Sequence, residues 1–452
     1  MAAGVFSFFT SPALTRNILD YQRKRLVVIG GGAAGFFCAV NAARMHPGME
    51  VMILEKNSKL LSKVRVSGGG RCNVTHACFD IAEMVKRYPR GANFVKKTFH
   101  QFFTADTIQW FKDRGVLLKT EPDGRMFPQS NTSQTIVDCL MKEAERYSVA
   151  VHTQSEVLGI ESLASSPGSG ISALKNGHTE EGHKFKLKIS SAGTAGYRLM
   201  TTDYLCIACG GYPKSSMFGW LKATGHTIEA PVPSLFTFNM PGNTITQLMG
   251  ISVENARVKI AGSKLETEGP LLITHWGMSG PAILKLSAWG ARHLAGSDYA
   301  FTAIINWLPG YNENSLRTAF EEYRFALAAQ KINNKNPFGL TGRLWEYFLM
   351  QSGLKEEARW ADLPATAQNK LIKILCAQEC PVRGKTTFKE EFVTAGGITL
   401  SEVDANSMMS KRVPNLFFAG EILDVDGITG GFNFQHAWTS AWIAAKSIGK
   451  AV

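Results

Sequence analysis

The sequence has no apolar run as long as the ~18–20 residues that a membrane-spanning helix needs, so we expect no membrane segment. Cysteine is scarce as well: eight cysteines in 452 residues are too few to form the framework of so long a chain. Residues 1–24 lack the basic start and unbroken apolar core of a secretory signal, so we expect an extension, with a transit peptide as the alternative. These absences predict a cytoplasmic chain with reduced thiols, and they leave its oligomeric state open.

No complete metal-binding motif is present either. Cys206 and Cys209 have CxxC spacing, but they lie in an apolar, strand-like run, where positions i and i+3 point to opposite faces. Two such thiols cannot share one metal without a turn, so we expect both in the core. Cys72, His76 and Cys78 form a partial set that no second pair completes. The sequence therefore predicts no metal.

Glycine, in contrast, is frequent and is concentrated near the start of the chain. Residues 26–29 form a short apolar run that is typical of a buried parallel strand. A GxGxxG turn follows at once, then a helix over residues 36–45 and a second strand over residues 51–54. In this context the glycines permit a tight turn and close approach of a pyrophosphate to the helix start. The three glycines are Gly30, Gly32 and Gly35.

An acidic residue narrows the choice of dinucleotide that can bind at this turn. Glu55 stands at the end of the second strand, twenty residues beyond the last glycine of the motif. Its carboxylate can accept hydrogen bonds from a ribose hydroxyl, which favours NAD or FAD over NADP. No second GxGxxG unit provides a separate nicotinamide site, and a strand followed by glycine returns at residues 415–420. One extended site of this kind predicts FAD.

The fold class that follows is α/β, with a Rossmann-like FAD-binding domain of the three-layer ββα type assembled from both ends of the chain. Between those ends, short apolar runs separated by Gly, Pro and Asn indicate a β-rich, barrel-like insertion, and a helix-like stretch indicates a small helical part. The predicted boundaries are 1–24 for the extension, 25–212 and 381–452 for the FAD domain, 213–313 for the β-rich insertion and 314–380 for the helical part.

Several further segments resemble the YhiN-like (HI0933-like) family of NAD(P)/FAD-dependent oxidoreductases, also known as the aminoacetone oxidase family. The most specific segment is the SGGGRCN sequence within residues 61–75, and the next is the GExxDxxGxxGGFN sequence near the C-terminus. The resemblance extends over roughly residues 25–450, apart from the loop around 163–197. The other matching segments are 124–130, 273–281, 418–427 and 430–435.

This resemblance implies a set of cofactor-binding residues that is larger than the first turn. The loop from Ser67 to Asn73 would pass the isoalloxazine and the pyrophosphate, and the glycines before the last helix would place its start near the reduced flavin. Asp424 would lie near the ribityl or pyrophosphate part. The full predicted set is Gly30, Gly32, Ala33, Ala34, Gly35, Glu55, Lys56, Lys63, Ser67, Gly68, Gly69, Gly70, Arg71, Cys72, Asn73, Val157, Gly210, Gly211, Gly420, Glu421, Asp424, Gly431, Phe432 and Asn433.

Two residues are candidates for a catalytic role. His275 would donate a proton or orient the substrate opposite the flavin, and the alternative is a structural histidine in the β-rich insertion. Cys72 would donate a proton, as thiols do in some flavin reductases, and the alternative is a side chain that packs behind the ring.

The expected reaction is hydride exchange at the flavin N5, most readily the reduction of an activated C=C bond. The resemblance implies three substrates for different members: a steroid, aminoacetone, and uridine in ribosomal RNA. Residues 56–97 contain ten basic and two acidic residues, and the formal charge of the chain is +12. Such an excess attracts a polyanion and favours the RNA substrate. The predicted phosphate contacts are Lys86, Arg87, Arg90, Lys96 and Lys97.

Three alternatives stay open at this point. The basic residues could form a solvated surface that also holds the cofactor pyrophosphate, and the enzyme would then be a small-molecule amine oxidase or ene-reductase. A non-catalytic flavin- or RNA-binding protein is the other class. The electron donor is also open, because without a second nucleotide fold NADH or NADPH would bind transiently over the flavin.

Overall fold

The computed structural model describes residues 23–163, 184–191, 196–386 and 393–450. The predicted extension therefore lies almost entirely outside the described residues. The strands are β1 Arg25–Ile29, β2 Glu50–Leu54, β3 Thr75–His76, β4 Leu118–Thr120, β5 Arg125–Pro128, β6 Ala150–His152, β7 Ser155–Ser162, β8 Phe185–Ser191, β9 Tyr197–Thr202, β10 Tyr204–Ile207, β11 Ile228–Ser234, β12 Thr237–Asn239, β13 Ser252–Ile260, β14 Glu266–Thr274, β15 Gly277–Ser279, β16 Ala300–Asn306, β17 Gln378–Arg383, β18 Lys385–Thr386, β19 Val393–Ile398 and β20 Leu416–Phe418.

The helices alternate with these strands in the N-terminal half and cluster after β16 in the insertion. They are α1 Ala33–Met45, α2 Ser62–Gly70, α3 Ile81–Val85, α4 Ala92–Phe99, α5 Thr104–Lys112, α6 Gln134–Arg146, α7 Gly219–Lys222, α8 Pro281–Trp289, α9 Ala291–Gly296, α10 Glu313–Ala326, α11 Gly342–Gln351, α12 Ala365–Ala377 and α13 Phe432–Ser447.

A parallel sheet of five strands, in the order β20-β10-β1-β2-β6, forms the centre of the first domain. Its strands are almost entirely apolar because both faces of the sheet are covered. On one face α1 packs against α13 and α6, and on the other the antiparallel sheet β7-β8-β9 contacts β1 and β2. These three layers confirm the predicted Rossmann-like class, and β20 and α13 bring the C-terminal end of the chain into it.

The insertion is built around a seven-stranded antiparallel sheet in the order β17-β16-β13-β14-β15-β12-β18. The two edge strands are nearly continuous in the chain, because only Gly384 separates β17 from β18, and this glycine has a φ of +88°. One segment therefore pairs with β16 at one edge and with β12 at the other. That bend closes the sheet into the barrel-like shape that the sequence predicts and removes open edges.

A second hydrophobic core fills the insertion and is separate from the core of the parallel sheet. Barrel strands contribute one side of it, and α10, α11 and α12 contribute the other. The tryptophans Trp307, Trp345 and Trp360 are almost fully buried there. A helix long and apolar enough to cross a membrane does not occur among the described residues.

Candidate functional site

A cleft of about 590 Å³ opens where β1 and β10 end and where the barrel meets the FAD domain. This volume lies within the range of small-molecule and cofactor sites. Most of the sequence-predicted residues line it, although they come from six separate chain segments. They are Gly30, Gly32, Ala33, Ala34, Glu55, Lys63, Ser67, Gly68, Gly69, Asn73, Gly210, Gly211, Gly420, Glu421, Gly431 and Asn433.

The first wall of the cleft is the turn between β1 and α1. Gly30 has a φ of +112°, and a Cβ there would lie 2.5 Å from the carbonyl oxygen of Ala208. A Cβ on Gly35 would lie 1.9 Å from the carbonyl oxygen of Gly30, so only glycine permits the helix to start so close to the strand. Gly32, in contrast, has open space beside it. The first N–H groups of α1 have no partner within the helix and favour an anion.

Glu55 is fixed at the end of β2 by backbone and side-chain donors. One carboxylate oxygen accepts the N–H of Gly31 at 2.8 Å, and the other accepts both the backbone and the side-chain N–H of Asn57 at 2.8 and 2.9 Å. These three bonds hold the carboxylate at the rim of the cleft. Its remaining lone pairs can accept hydrogen bonds from the hydroxyl groups of a ribose.

The loop from Ser67 to Asn73 contributes bare backbone to the cleft. Gly68 and Gly69 have φ values of +59° and +68°, and a Cβ on Gly69 would meet open space. The amide of Asn73, oriented by its partners, accepts the N–H of Gly431 at 3.0 Å and donates to the carbonyl oxygen of Thr75 at 3.1 Å. This pair of bonds joins the loop to the start of α13.

The start of α13 forms a second helix N-terminus at the same cleft. Gly431 precedes the helix with a φ of +92°, and a Cβ there would lie 2.5 Å from the carbonyl oxygen of Thr75. Asn433 holds the preceding turn, because it accepts the N–H of Gly427 at 2.8 Å and donates to the carbonyl oxygen of the same glycine at 2.9 Å. Two helix dipoles therefore favour negative charge in one cleft.

An ion pair between Lys63 and Glu421 also lines the cleft. The ammonium of Lys63 is 2.5 Å from one carboxylate oxygen of Glu421, and the other oxygen accepts the N–H of Thr394 at 2.9 Å. Gly211 packs directly against this group, since a Cβ there would lie 2.6 Å from the Thr394 side chain. Glu421 thus connects the segment after β10, strand β19 and helix α2.

Several predicted residues support the cleft without lining it. Gly35 packs behind the first turn, and Gly70 accepts the N–H of Ser133 at 2.9 Å. Arg71 lies over the ring of Phe127 at 4.0 Å and forms an ion pair with Glu121 at 2.6 Å. Lys56 lies over the Tyr212 ring, and Val157 is buried in the core of the parallel sheet. Phe432 stacks on His76, and Asp424 pairs with Arg292.

The two candidate catalytic residues both lie away from the cleft lining. His275 is exposed in the turn between β14 and β15, where its ring contacts Trp276. Cys72 is fully buried, and burial raises the pKa of its thiol to about 12. The described residues contain no group of three or more His, Cys, Asp or Glu side chains that could hold a metal.

The wall opposite the glycine turns comes from the insertion, and of its residues only Ser279 belongs to a segment, 273–281, that carries the family resemblance. Its lining residues are Leu235, Thr237, Ser279 and Leu284. The Thr237 hydroxyl is buried and donates to the carbonyl oxygen of Thr386 at 3.1 Å. The four lining residues come from two short segments, 235–237 and 279–284, that lie about 40 residues apart in the chain. Arg125, Val393, Thr429, Phe434 and His436 also line the cleft without having been predicted.

The residues of this cleft fit FAD. Gly32, Gly69 and Gly210 border space that a side chain would otherwise fill, and two helix starts face it with N–H donors for a pyrophosphate. The cleft lies outside the carboxyl ends of parallel strands, where open α/β sheets bind their ligands. Fold and site together define an FAD-dependent oxidoreductase.

The chain belongs to the HI0933-like family. The model of the HI0933-like protein Rossmann domain matches residues 24–447. A ribosomal RNA dihydrouridine synthase of Escherichia coli is 30% identical over 429 residues, which cover 94% of this chain and 98% of that protein. A 3-dehydro-bile acid delta(4,6)-reductase of Clostridium scindens is 25% identical and covers 94% of this chain and 98% of its own length.

Two further comparisons agree with this family and fold. The ribosomal RNA dihydrouridine synthase of Haemophilus influenzae is 27% identical, over 95% of this chain and 99% of that protein. Among solved structures, the 3-ketosteroid-delta4-(5alpha)-dehydrogenase of Rhodococcus jostii RHA1 superposes with a TM-score of 0.50 at 14% identity. It covers 95% of this chain and 99% of its own, and it supports the shared fold alone.

Proposed function

We propose that the protein reduces the C5=C6 bond of uridine in ribosomal RNA to give dihydrouridine. The observation that carries the proposal is the near full-length similarity to two relatives named as ribosomal RNA dihydrouridine synthases, one of them 30% identical. The same proposal places the protein in the cytoplasm, where ribosomes are found. NADH or NADPH, bound transiently over the flavin, is the electron donor that we propose.

The cleft suits a flat, polar ring held against the cofactor. When bound, FAD supplies the two-electron reduction of the substrate double bond. Leu235 and Leu284 provide apolar contact for a ring face, while Ser279 provides a hydroxyl group at its edge. A uridine within folded RNA reaches such a cleft only after it leaves its stack, because the target atoms are otherwise covered.

Exposed cations after α3 and on α4 support an RNA partner. Lys96 and Lys97 lie in the last turn of α4, and Arg87 follows α3; all three are exposed, with no acidic partner within ion-pair distance among the described residues. Lys86 is exposed as well but pairs with Glu83 at 2.6 Å. Such side chains bind phosphates and position the RNA without selecting the base.

Arg90 does not belong with these cations, which corrects its predicted phosphate contact. Its side chain is only 13% exposed and forms an ion pair with the buried carboxylate of Asp426. The guanidinium also donates to the carbonyl oxygen of Ala288 at 2.8 Å. Arg90 is therefore a structural residue between the two domains.

The decisive experiment compares dihydrouridine in ribosomal RNA from a strain that lacks this gene and from its parent. The expected result is loss of a dihydrouridine and its return when the wild-type gene is supplied. An unchanged dihydrouridine content would refute the RNA substrate for this chain. If the purified protein lacked the absorption spectrum of a bound flavin, that result would refute the proposed flavin-dependent reaction as a whole.

Charge reversal on α4 tests the RNA contact separately. Lys96→Glu with Lys97→Glu should lower RNA affinity and weaken its salt dependence, since fewer counterions are then released. The flavin spectrum should stay unchanged. The control is Lys370→Glu with Lys373→Glu, which makes the same change of charge on the exposed face of α12, where Lys373 pairs with Glu379 at 3.6 Å. Equal RNA affinity of the two double variants would contradict a role for α4.

A small-molecule ene-reductase is the second candidate, favoured by the Clostridium scindens relative and by the apolar side chains of the barrel wall. In that case the purified protein would reduce a steroid enone with NADH or NADPH, and ribosomal RNA would be unaffected by gene deletion. Rapid peroxide formation from aminoacetone under air would indicate the amine oxidase alternative.

A further inference from the structure

Phe79 is an exposed aromatic residue between β3 and α3 that does not line the cofactor cleft. Its side chain is 62% exposed. The backbone on both sides of it is held by hydrogen bonds. The N–H of Ala77 donates to the carbonyl oxygen of Gly124 at 2.8 Å, and the carboxylate of Asp80 accepts the N–H of Glu83 at 3.0 Å as the N-cap of α3. The ring therefore stands on a fixed segment and leaves most of its surface open to water.

Two hydrogen bonds place this segment against the wall of the cleft. Before Phe79, Nδ1 of His76 lies 3.0 Å from the carbonyl oxygen of Gly430. After it, the carbonyl oxygen of Arg87 accepts the N–H of Ile428 at 2.9 Å. Both Gly430 and Ile428 line the cleft. The segment that carries Phe79 therefore runs along the outer side of the chain that forms this wall.

The charges around Phe79 suit a polyanion. Arg87 follows α3 and is exposed, and within the described ranges of the chain no acidic side chain lies close enough to pair with it. The acids of this segment are already engaged, since Glu83 pairs with Lys86 at 2.6 Å and Asp80 caps α3. The exposed lysines of α4 continue the basic surface, because α4 packs against α3.

An exposed ring beside an unpaired cation is the arrangement that binds a single strand of nucleic acid. Any base can stack on an aromatic face, while cations hold the phosphates next to it. A protein partner would instead need a contiguous apolar patch. The exposed residues that surround Phe79 along the chain are mostly charged: Asp80, Ala82, Glu83, Lys86 and Arg87.

We propose that Phe79 stacks on a base of the RNA substrate that neighbours the uridine in the cleft, and that Arg87 binds an adjoining phosphate. This inference rests on the RNA substrate proposed above. A uridine that leaves its stack deprives the neighbouring base of a stacking partner, which is part of the cost of extrusion. The ring of Phe79 replaces that partner just outside the cleft.

The first test measures the RNA affinity of flavin-saturated protein by fluorescence anisotropy, with a labelled oligouridylate as the probe. Phe79→Ala should bind it about tenfold more weakly, as expected for the loss of one stacked base. Phe79→Trp keeps an aromatic face and should retain the affinity of wild type. The control is Phe325→Ala, which removes an 83% exposed ring from α10 and should leave RNA affinity unchanged. All three variants should keep their flavin.

Two further readouts separate stacking from charge. Phe79→Ala should keep the wild-type slope of log affinity against log salt concentration, because it removes no phosphate contact. Arg87→Met should lower that slope by about one. With an oligoribonucleotide of equal length that lacks its bases, Phe79→Ala should bind as tightly as wild type, since nothing is left to stack.

Three results would overturn the proposal. They are an affinity of Phe79→Ala for oligouridylate within twofold of wild type, an equal loss with the strand that lacks bases, and a loss that Phe79→Trp shares. The first of these would indicate that Phe79 contacts a protein instead. Failure of the proposed function is seen separately, as unchanged dihydrouridine in ribosomal RNA of the deletion strain, and a tenfold loss in Phe79→Ala would still support stacking on RNA in that case.

Discussion

The ion pair between Arg90 and Asp426 gives the sharpest prediction about stability. Asp426 is 0% exposed, and its carboxylate accepts hydrogen bonds from the guanidinium of Arg90 and from the hydroxyl of Ser234 at 2.7 Å. Arg90 follows α3 in the FAD domain, whereas its other acceptor, the carbonyl of Ala288, belongs to α8 of the insertion. The pair therefore joins the two halves of the molecule.

Arg90→Met removes the positive charge and keeps much of the side-chain volume. The carboxylate of Asp426 then stays buried with one hydroxyl donor and no counter-ion. Removing one partner of such a pair costs about 3–5 kcal/mol, because the remaining charge is not compensated. We expect the free energy of unfolding at pH 7 to fall by about that amount.

The loss should depend on pH in a defined direction. Burial already raises the pKa of Asp426, and Arg90 opposes that rise. Without Arg90 the pKa rises further, so the folded protein holds a proton on this carboxyl to higher pH than the unfolded chain does. The difference between variant and wild type should therefore be largest near neutral pH and should shrink as the pH falls below the raised pKa.

Urea denaturation of flavin-saturated protein at several pH values measures both quantities. The control is Arg257→Met, because Arg257 and Glu268 form an exposed pair at 2.8 Å that solvent screens, so its loss should change stability little. Adding Asp426→Leu to Arg90→Met should recover most of the loss, since no buried charge is left. A single variant within about 1 kcal/mol of wild type at pH 7, or a pH-independent loss, would refute this reasoning.

Two other predictions follow from the cofactor cleft. Gly35→Ala places a Cβ 1.9 Å from the carbonyl oxygen of Gly30, so it should abolish FAD retention and lower the melting temperature. Gly48→Ala is the control, because a Cβ there meets open space and should change neither property. The flavin content of the purified variants and their thermal denaturation measure both effects. His436 has a pKa of about 4 when folded and 6.5 as its reference value, so wild type should lose up to about 3 kcal/mol of stability from this group as the pH falls from 6.5 to 4. Flavin-free His436→Leu should lack that part of the pH dependence, and equal slopes would contradict it.

Contiguous motifs allowed much of the FAD side to be predicted from the sequence. The turn from Gly30 to Gly35 and the acid Glu55 belong to one strand–helix–strand unit, whose geometry is determined locally. The position of each of these residues is determined by the backbone conformation of its immediate neighbours in the chain, so the structure places them at the cleft as predicted from the sequence. The last helix, α13, begins at Phe432, directly after the glycines that the sequence places before it, since Gly431 supplies the left-handed turn.

The substrate side could not be predicted in the same way. Leu235 and Ser279 reach the cleft only because the barrel closes and packs against the parallel sheet, which is a long-range property. Arg90 was grouped with surface cations on sequence proximity, and only its partner 336 positions away shows that it is buried. The catalytic role of His275 stays a prediction, because its position in the exposed turn between β14 and β15 depends on the closed barrel and not on its motif.

The division of the cleft between two structural units explains how one family can include relatives with such different names. The cofactor wall is built by both ends of the chain and depends on close backbone contacts at Gly30, Gly35 and Gly431, where almost any side chain would clash. The opposite wall is made of residues of the insertion, which can change without disturbing those contacts. Arg90 and the pair of Arg292 with Asp424 at 3.2 Å hold the barrel in register with the flavin domain. Substrate preference can therefore change through the barrel side chains while the FAD chemistry stays the same.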